Sequence, residues 1–265
     1  MGKSIGVVSL KGGVGKTSTV VSMGMALAEQ GKKVLLVDGN LSAPNLGMHF
    51  KILEPKKGIH NVLRRETNAS KAIHKLGSID VIPGHMFDNK KVSPLKMKDR
   101  IGNLKRKYDY VIYDSSPALN NETLAVMMAS DEIFVVTTPD HPTLGTTIKS
   151  AKEAKKRGVP INGLILNKSY GKNFEISPED VEYTSEIPVV AKIPHDKNVP
   201  KALSNFESTV EHKPNSEASK EYKKLASSIS GEEYTGRKGL KDLLRKIRPQ
   251  RQDVNRDVLY ESVFS

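Results

Sequence analysis

The sequence predicts a doubly wound α/β fold, with a mostly parallel sheet of about seven strands and helices on both faces. Short runs rich in Val and Ile alternate with longer stretches of helical spacing, which is typical of βαβ units. The runs are almost continuously hydrophobic, as expected for strands that helices cover on both faces. The predicted strands are residues 5–10, 34–38, 79–83, 110–114, 132–137, 161–167 and 189–194.

The last third of the sequence differs from the body. A polar stretch of helical spacing follows Pro214 and runs to about Ser230, which closes a predicted domain of residues 1–230. The turn-prone residues 231–236 predict a linker. Residues 237–248 predict a basic amphipathic helix, and residues 249–265 predict a flexible tail or a docking peptide. That tail is polar except for an apolar cluster near its end: Val258, Leu259, Tyr260, Val263 and Phe264.

The composition indicates a hydrophilic surface with a strong positive charge. Hydrophobic residues make up 37% and charged residues 27% of the chain, and the formal net charge is +12. Such a charge predicts attraction to an anionic partner, either nucleic acid or acidic lipid headgroups. No apolar stretch has the length of a membrane span and the N-terminal residues lack a secretory pattern, so a cytoplasmic location is expected. The absence of cysteine removes disulfides, thiolate metal sites and thiol catalysis.

A glycine-rich loop joins the first predicted strand to the first predicted helix. Glycines allow successive backbone N–H groups to point at phosphate oxygens, and the helix N-terminus adds its dipole. Lys16 supplies a positive charge, and the Thr17 hydroxyl is a ligand for magnesium. A tight surface turn is the simpler explanation, but the order of strand, loop and helix favours a phosphate site. The residues of this predicted site are Gly12, Gly13, Val14, Gly15, Lys16, Thr17 and Ser18.

The loop departs from the general P-loop pattern because Leu10 stands at the position of its first glycine. A second lysine, Lys11, opens the loop instead. The string Lys-Gly-Gly-Val-Gly-Lys-Thr resembles the deviant Walker A motif of the MinD/ParA family of dimerising P-loop ATPases, and the likeness covers about residues 3–229. The resemblance implies ATP and Mg²⁺ as cofactors. It also implies a homodimer in the ATP state, in which Lys11 reaches the nucleotide of the other subunit.

Two carboxylates end predicted strands at the same edge of the sheet as the loop. Asp38 ends the strand of residues 34–38, and Asp114 ends that of residues 110–114. Because such positions lie beside the phosphate site in an open α/β sheet, Thr17, Asp38 and Asp114 are the predicted magnesium site. An aspartate after a strand is also a common helix cap, but three elements in family order favour the metal.

The base-binding residues are predicted from a later motif and from the resemblance. Asn167 and Lys168 begin like the guanine-reading Asn-Lys-x-Asp, but Tyr170 takes the place of the acid that guanine requires. The side-chain amide of Asn167 suits adenine. The resemblance places the base contact here, with Pro194 and His195 near the ring. ATP is therefore the predicted nucleotide.

A second departure from the family pattern follows Asp38. Asn40 stands where typical relatives carry an aspartate that orients the attacking water. An amide forms hydrogen bonds but carries no negative charge, so slow hydrolysis is expected. The alternative is that Asp38 or a partner supplies the missing group and that turnover is ordinary. By resemblance, the catalytic residues are Lys11, Lys16, Asp38 and Asn40.

The basic segment has the pattern of a helix that lies on a membrane surface. Residues 237–251 contain seven Lys or Arg and one acid, Asp242. Four apolar residues recur at i, i+3, i+4 and i+7, which places them on one stripe between basic faces: Leu240, Leu243, Leu244 and Ile247. The segment resembles the C-terminal membrane-targeting helix of MinD-type members. One copy is expected to bind acidic headgroups reversibly, and two copies in a dimer far more tightly. The alternative is an ordinary last helix packed on the domain.

Three hypotheses of function follow. The first is a MinD-type ATPase, peripheral on the inner face of the cell membrane, that positions an unidentified protein partner in cell division or spatial organisation. The second is a ParA-type ATPase that binds DNA backbones non-specifically, which the apolar stripe disfavours. The third is an ATP-bound scaffold that recruits partners through residues 258–264. Iron–sulfur relatives are set aside because their cysteine ligands are absent, and the seven histidines show no metal-ligand spacing.

Overall fold

The computed structural model describes residues 2–88, 90–234 and 249–263. Its centre is an eight-stranded sheet with the order β3-β4-β2-β5-β1-β6-β7-β8. Neighbouring strands are parallel except for β3 and β4, which pair antiparallel. The strands are β1 (Lys3–Val8), β2 (Val34–Asp38), β3 (His74–Leu76), β4 (Ile79–Ile82), β5 (Tyr110–Asp114), β6 (Glu132–Thr137), β7 (Ile161–Ser169) and β8 (Val189–Pro194).

All seven strands expected from the sequence are present, which confirms the doubly wound α/β prediction. The additional strand, β3, has three residues and lies at the edge of the sheet, where it is too short and too polar to give a strand pattern. The first strand ends at Val8 instead of residue 10. The chain leaves the ladder there, and the Ser9 hydroxyl accepts a hydrogen bond from the N–H of Lys11 as the glycine loop begins.

Helices cover both faces of the sheet, as predicted. Alternate strand residues point to opposite faces, so that Leu36 packs on one side while Leu35 and Val37 pack on the other. The described helices are α1 (Lys16–Glu29), α2 (Ile59–Leu63), α3 (Met97–Ile101), α4 (Asn121–Ala129), α5 (His141–Lys156), α6 (Pro178–Ser185), α7 (Asn198–Ser204), α8 (Thr209–His212), α9 (Glu217–Ser230) and α10 (Arg251–Glu261). Helices α1 and α9 pack on the face that Leu36 occupies, and α4 and α5 pack on the face of Leu35 and Val37.

The prediction of a flexible tail at residues 249–265 is wrong for most of that range, because residues 251–261 form α10. Asn255 donates its side-chain N–H to the carbonyl of Val189 in β8, over 2.8 Å. Arg256 forms a buried ion pair with Glu221 of α9, also at 2.8 Å. Leu259 joins the hydrophobic core, so α10 closes the edge of the sheet beyond β8.

Two other sequence predictions have a different outcome. Gly231 ends α9 with a positive φ of 71°, as suits the start of a linker. The amphipathic stripe of Leu240, Leu243, Leu244 and Ile247 lies outside the described residues, so its helix stays a prediction. Among the helices that the structure describes, none has the length and apolar character that crossing a bilayer requires.

Candidate functional site

The glycine loop lies at the carboxyl end of β1 and leads directly into α1. Gly13 and Gly15 have φ angles of 77° and 90°, in the left-handed region that favours glycine. At Gly15 a Cβ atom would also lie 2.2 Å from the side-chain nitrogen of Asn167, so no larger residue fits without displacing that side chain. The loop therefore turns tightly and presents the N-terminus of α1. Helix N-termini of this kind bind anions.

Buried polar side chains meet where the loop joins the helix. The Thr17 hydroxyl lies 2.6 Å from Oδ2 of Asp114 and 2.9 Å from Oδ1 of Asn45. The ammonium group of Lys16 lies 3.6 Å from Oδ1 of Asp114. Lys16 and Thr17 are both only 8% exposed, and Asp114 is fully buried. The structure thus brings three predicted site residues together, and adds Asn45, which the sequence interpretation missed.

Asp38 completes a pair of buried carboxylates at this edge of the sheet. It aligns with Asp114 in the register of β2 and β5. Its two oxygens accept hydrogen bonds from the backbone N–H groups of Asn40 and Leu46, each at 3.1 Å. Burial raises the pKa of Asp38 to about 8, and the negative charge of Asp114 adds to the rise.

The carboxylate pair has the character of a cation site. Burial also raises the pKa of Asp114, although Lys16 and Thr17 act against that rise. Oδ1 of Asp114 is buried and has no hydrogen-bond partner among the described residues. Two buried carboxylates, one of which has an oxygen that accepts no hydrogen bond within the described part of the chain, and a hydroxyl are the hard oxygen donors that Mg²⁺ prefers. The residues present therefore fit a magnesium ion.

Lys11 projects from the start of the loop toward α5. Its ammonium group lies 3.3 Å from Oδ1 of Asp140 and 2.5 Å from the hydroxyl of Thr143. Asp140 is the N-cap residue of α5. The side chains of Lys11 and Asp140 are 40% and 41% exposed. Ion pairs with this exposure contribute little free energy, whereas the Thr143 hydroxyl to which Lys11 also donates is buried.

The predicted base-binding residues lie beside the glycine loop. The amide N–H of Asn167 donates to the carbonyl of Val14 at 2.7 Å, and Lys168 donates to the carbonyl of Gly13 at 2.6 Å. Asn167 and Lys168 therefore brace the phosphate loop directly. An adenine contact of Asn167 stays a prediction.

An aromatic face adjoins these residues. The ring of Tyr170 stacks on that of His195 with centroids 4.6 Å apart and planes inclined by 16°. Pro194, the last residue of β8, pairs with Ser169 at the end of β7. The backbone N–H of His195 donates to the carbonyl of Ser169 at 2.7 Å, so the ring is held on a rigid strand end.

Asn40 turns its side chain back into its own loop. Its amide N–H donates to the carbonyl of Ala43 at 2.6 Å, and the residue is 5% exposed. Ser42 in the same loop donates its hydroxyl proton to Glu122 at the start of α4. The sequence interpretation also missed Glu122, which belongs to no motif, since its contact with the loop spans 80 positions in the chain.

The chain matches two protein-family models. One is described as an AAA domain and covers residues 2–158. The other is described as 4Fe-4S iron sulfur cluster binding proteins of the NifH/frxC family and covers residues 90–245. Proteins of the second kind hold clusters through cysteines, and the 265-residue sequence contains none.

Individual relatives agree with these matches. The chain is 35% identical over 232 residues to an uncharacterized ATP-binding protein of Methanocaldococcus jannaschii, which covers 86% of this chain and 88% of the relative. The structure of the cell division ATPase MinD from Pyrococcus furiosus shares 34% identity with a TM-score of 0.82, covering 87% of this chain and 99% of that one. The septum site-determining protein MinD from Pyrococcus horikoshii, complexed with Mg-ADP, shares 31% identity with a TM-score of 0.82, covering 86% and 96%.

Proposed function

Because the chain belongs to the MinD/ParA family of P-loop ATPases, we propose that it binds ATP with Mg²⁺, hydrolyses it and dimerises in the ATP-bound state. One observation carries this proposal: a loop of left-handed glycines opens a helix whose first residues, Lys16 and Thr17, are buried against Asp114. An ammonium, a hydroxyl and a carboxylate at the end of a phosphate loop are the groups that hold a triphosphate together with its metal.

Each side chain of the site has a separate task in this proposal. Backbone N–H groups of residues 12–18 hold the phosphate oxygens, and Lys16 balances their charge. Thr17, Asp38 and Asp114 hold Mg²⁺, directly or through its water ligands. When bound, the ion neutralises charge on the phosphates and on the carboxylate pair. Adenine lies beside Asn167, Pro194 and His195, where the stacked rings of Tyr170 and His195 supply a flat face.

Lys11 acts across the dimer in this proposal. Its ion pair with Asp140 is partly exposed to solvent, and solvated ion pairs contribute little free energy. The lysine can therefore exchange this partner for the phosphates of a second subunit at small cost. A dimer that depends on Lys11 forms only when a triphosphate is present, which makes nucleotide state a switch for assembly.

Hydrolysis is slow in this proposal because Asn40 lacks a carboxylate. Its amide is committed to the carbonyl of Ala43. A neutral amide cannot accept a proton from water appreciably, so the attacking water is poorly activated. Slow turnover gives the ATP-bound dimer a long lifetime.

The second part of the proposal is that residues 237–248 attach the dimer to an acidic membrane surface, where it positions a protein partner. The +12 net charge and the basic residues around Leu240, Leu243, Leu244 and Ile247 support an anionic surface, and the apolar stripe favours lipid over DNA. Non-specific DNA binding of the ParA type is the second candidate, supported by exposed lysines on α5 such as Lys155 and Lys156.

Membrane attachment through residues 237–248 is best tested without shortening the chain. Truncation after Gly236 would also remove α10, which packs on the body, so substitution within the segment is the better experiment. We expect full-length protein to sediment with anionic vesicles in ATP and much less in ADP, and Leu243→Glu with Leu244→Glu to abolish this. The matched control is Val254→Glu with Val258→Glu, since these apolar residues of α10 are 42% and 63% exposed.

Two further measurements test the role of the dimer and distinguish lipid binding from DNA binding. Lys11→Ala should bind ATP but lose the ATP-dependent sedimentation, because the monomer carries a single copy of the segment. ATP-dependent retention on duplex DNA, with no binding to vesicles, would select the second candidate. Vesicle binding that is equal in ATP and ADP would contradict the proposed coupling.

A further inference from the structure

Glu122 is a buried carboxylate that no motif accounts for. It lies in the first turn of α4 and is 6% exposed. One of its oxygens accepts the hydroxyl proton of Ser42, and the other, Oε2, is buried without a hydrogen-bond partner among the described residues. A buried carboxylate oxygen without a partner is costly, and such groups are retained where they have a role beyond packing.

The helix that carries Glu122 is held rigidly beside the site. Asn120 caps α4 by accepting hydrogen bonds from the backbone N–H groups of Glu122 and Thr123, each at 3.1 Å. The side chain of Asn120 in turn accepts from the Ser116 hydroxyl at 3.0 Å, in the segment that follows Asp114. Glu122 is therefore fixed relative to the predicted magnesium site.

Residues 39–46 form a loop that lies against this helix at two points. At Gly39 an added Cβ would approach a methyl group of Val126 to 2.5 Å, so the loop starts in direct contact with α4. At Ser42 the side-chain hydrogen bond to Glu122 makes the second contact. The other end of the loop reaches the site itself, since Asn45 lies 2.9 Å from the Thr17 hydroxyl. The same short loop therefore contacts both Glu122 and the Thr17 hydroxyl.

The carboxylates that contact this loop come from outside it. Asn40 supplies only an amide, and that amide is bonded to Ala43. Within residues 2–88 and 90–234, Asp38 and Glu122 are the two carboxylates that accept hydrogen bonds from this loop. Asp38 belongs to the predicted metal site, which leaves Glu122.

We propose that Glu122 is a positioning residue for ATP cleavage. Through Ser42 it holds residues 39–46 in the arrangement that orients the attacking water, and its second oxygen accepts a further hydrogen bond when the loop closes on a nucleotide. It thereby replaces part of what an aspartate at position 40 would do. The inference rests on the proposed ATPase function and adds a residue to it.

Single-turnover cleavage of ATP by the full-length protein tests the inference. We expect Glu122→Gln and Ser42→Ala each to slow cleavage by about tenfold while the ATP dissociation constant stays within about twofold, because binding precedes the step that the loop orients. The double variant should be no slower than the slower single one, since both act on the same contact: Ser42→Ala removes its donor, and Glu122→Gln replaces its charged acceptor with a neutral one. Asn40→Asp should restore cleavage in the Glu122→Gln background.

The control is Glu132→Gln. Glu132 is also a buried glutamate, 7% exposed, but it begins β6 at the opposite end of the sheet and bonds to Asn162. The Glu132→Gln variant should cleave ATP at the wild-type rate. Ser42 is exposed, so its variant reports on the contact even where Glu122→Gln folds poorly.

Three results would overturn the inference in different ways. Wild-type rates in both Ser42→Ala and Glu122→Gln would remove Glu122 while leaving the ATPase proposal intact. An equal loss of ATP binding and cleavage, without rescue by Asn40→Asp, would show that Glu122 only packs. Wild-type protein that binds ATP but never cleaves it would remove both the inference and the hydrolysis that it serves.

Discussion

At the scale of single residues, the site is dominated by two carboxylates that the protein buries together. Asp38 and Asp114 are fully buried, and the one cationic side chain that contacts them among the described residues is Lys16. Placing two negative charges in a medium of low polarity disfavours their ionised forms. The cost is offset when a divalent cation is present, so ligand binding and stability are linked here.

This arrangement predicts a stability that falls as pH rises in the absence of metal and nucleotide. The folded-state pKa of Asp38 is about 8 against an ordinary value of 3.8. Between these values the native state holds a proton that the unfolded state has lost, so stabilisation present below about pH 4 is lost progressively as pH rises through about 8. Asp114, whose pKa is also raised, contributes in the same direction.

Thermal unfolding in EDTA at several pH values measures this effect. Wild-type protein should lose several degrees of melting temperature, about 2–4 °C per kcal/mol, between pH 5 and 8.5, and Asp38→Asn should lose much less. The exposed control Asp257→Asn should follow the wild type. Parallel curves for wild type and Asp38→Asn would contradict the linkage.

Sequence reasoning located the site residues that have a local signal. Lys16 and Thr17 follow a glycine loop, and Asp38 and Asp114 end buried strands. Asn45 and Glu122 have no such signal, because their contacts with Thr17 and Ser42 span 28 and 80 positions. Only the path of the loop in three dimensions brings them to the site.

At the scale of elements, α10 is the main difference from the predicted architecture. Its sequence is polar, so it carries no apolar stripe of helical period. It attaches through buried polar contacts instead, with Gln252 1% and Arg256 4% exposed beside a single core residue, Leu259. Patterns of hydrophobic residues do not report such a helix. The strands were predicted well because their signal in the sequence is a continuous run of hydrophobic residues.

The buried ion pair of Arg256 with Glu221 predicts a strong dependence of stability on α10. Arg256→Ala removes the closer of two cationic partners that the buried Glu221 carboxylate has among the described residues, the other being Lys224 at 3.6 Å, and should lower the free energy of unfolding by about 3 kcal/mol. Arg251→Ala is the matched control, because its ion pair with Glu182 is 52% exposed on the arginine side and should contribute less than about 1 kcal/mol. Urea denaturation of both variants measures the difference. Equal, small losses would show that α10 is only loosely attached.

At the scale of the whole molecule, the strand order explains why the site lies where it does. β1 lies between β5 and β6, and β2 lies on the far side of β5. The connection from β1 leads to β2 on one side of β1, whereas the connection from β5 leads to β6 on the other side. In open α/β sheets, ligands bind at the carboxyl ends of the strands where the order of connections reverses in this way. The glycine loop leaves β1, while Asp38 and Asp114 end β2 and β5. Helix α9 ends at Ser230, and α10 packs against β8 at the edge of the sheet.

The proposed function depends on binding of ATP together with Mg²⁺ at the loop that opens α1. Isothermal titration of nucleotide-free protein measures this binding. We expect saturable heat at about one ATP per chain that requires Mg²⁺, and an affinity at least about tenfold weaker in Lys16→Ala, because a charge-assisted contact with phosphate is lost. Lys11→Ala should keep the binding heat of the monomer. Folded wild-type protein that gives no heat with ATP and Mg²⁺ would show that the loop binds no nucleotide.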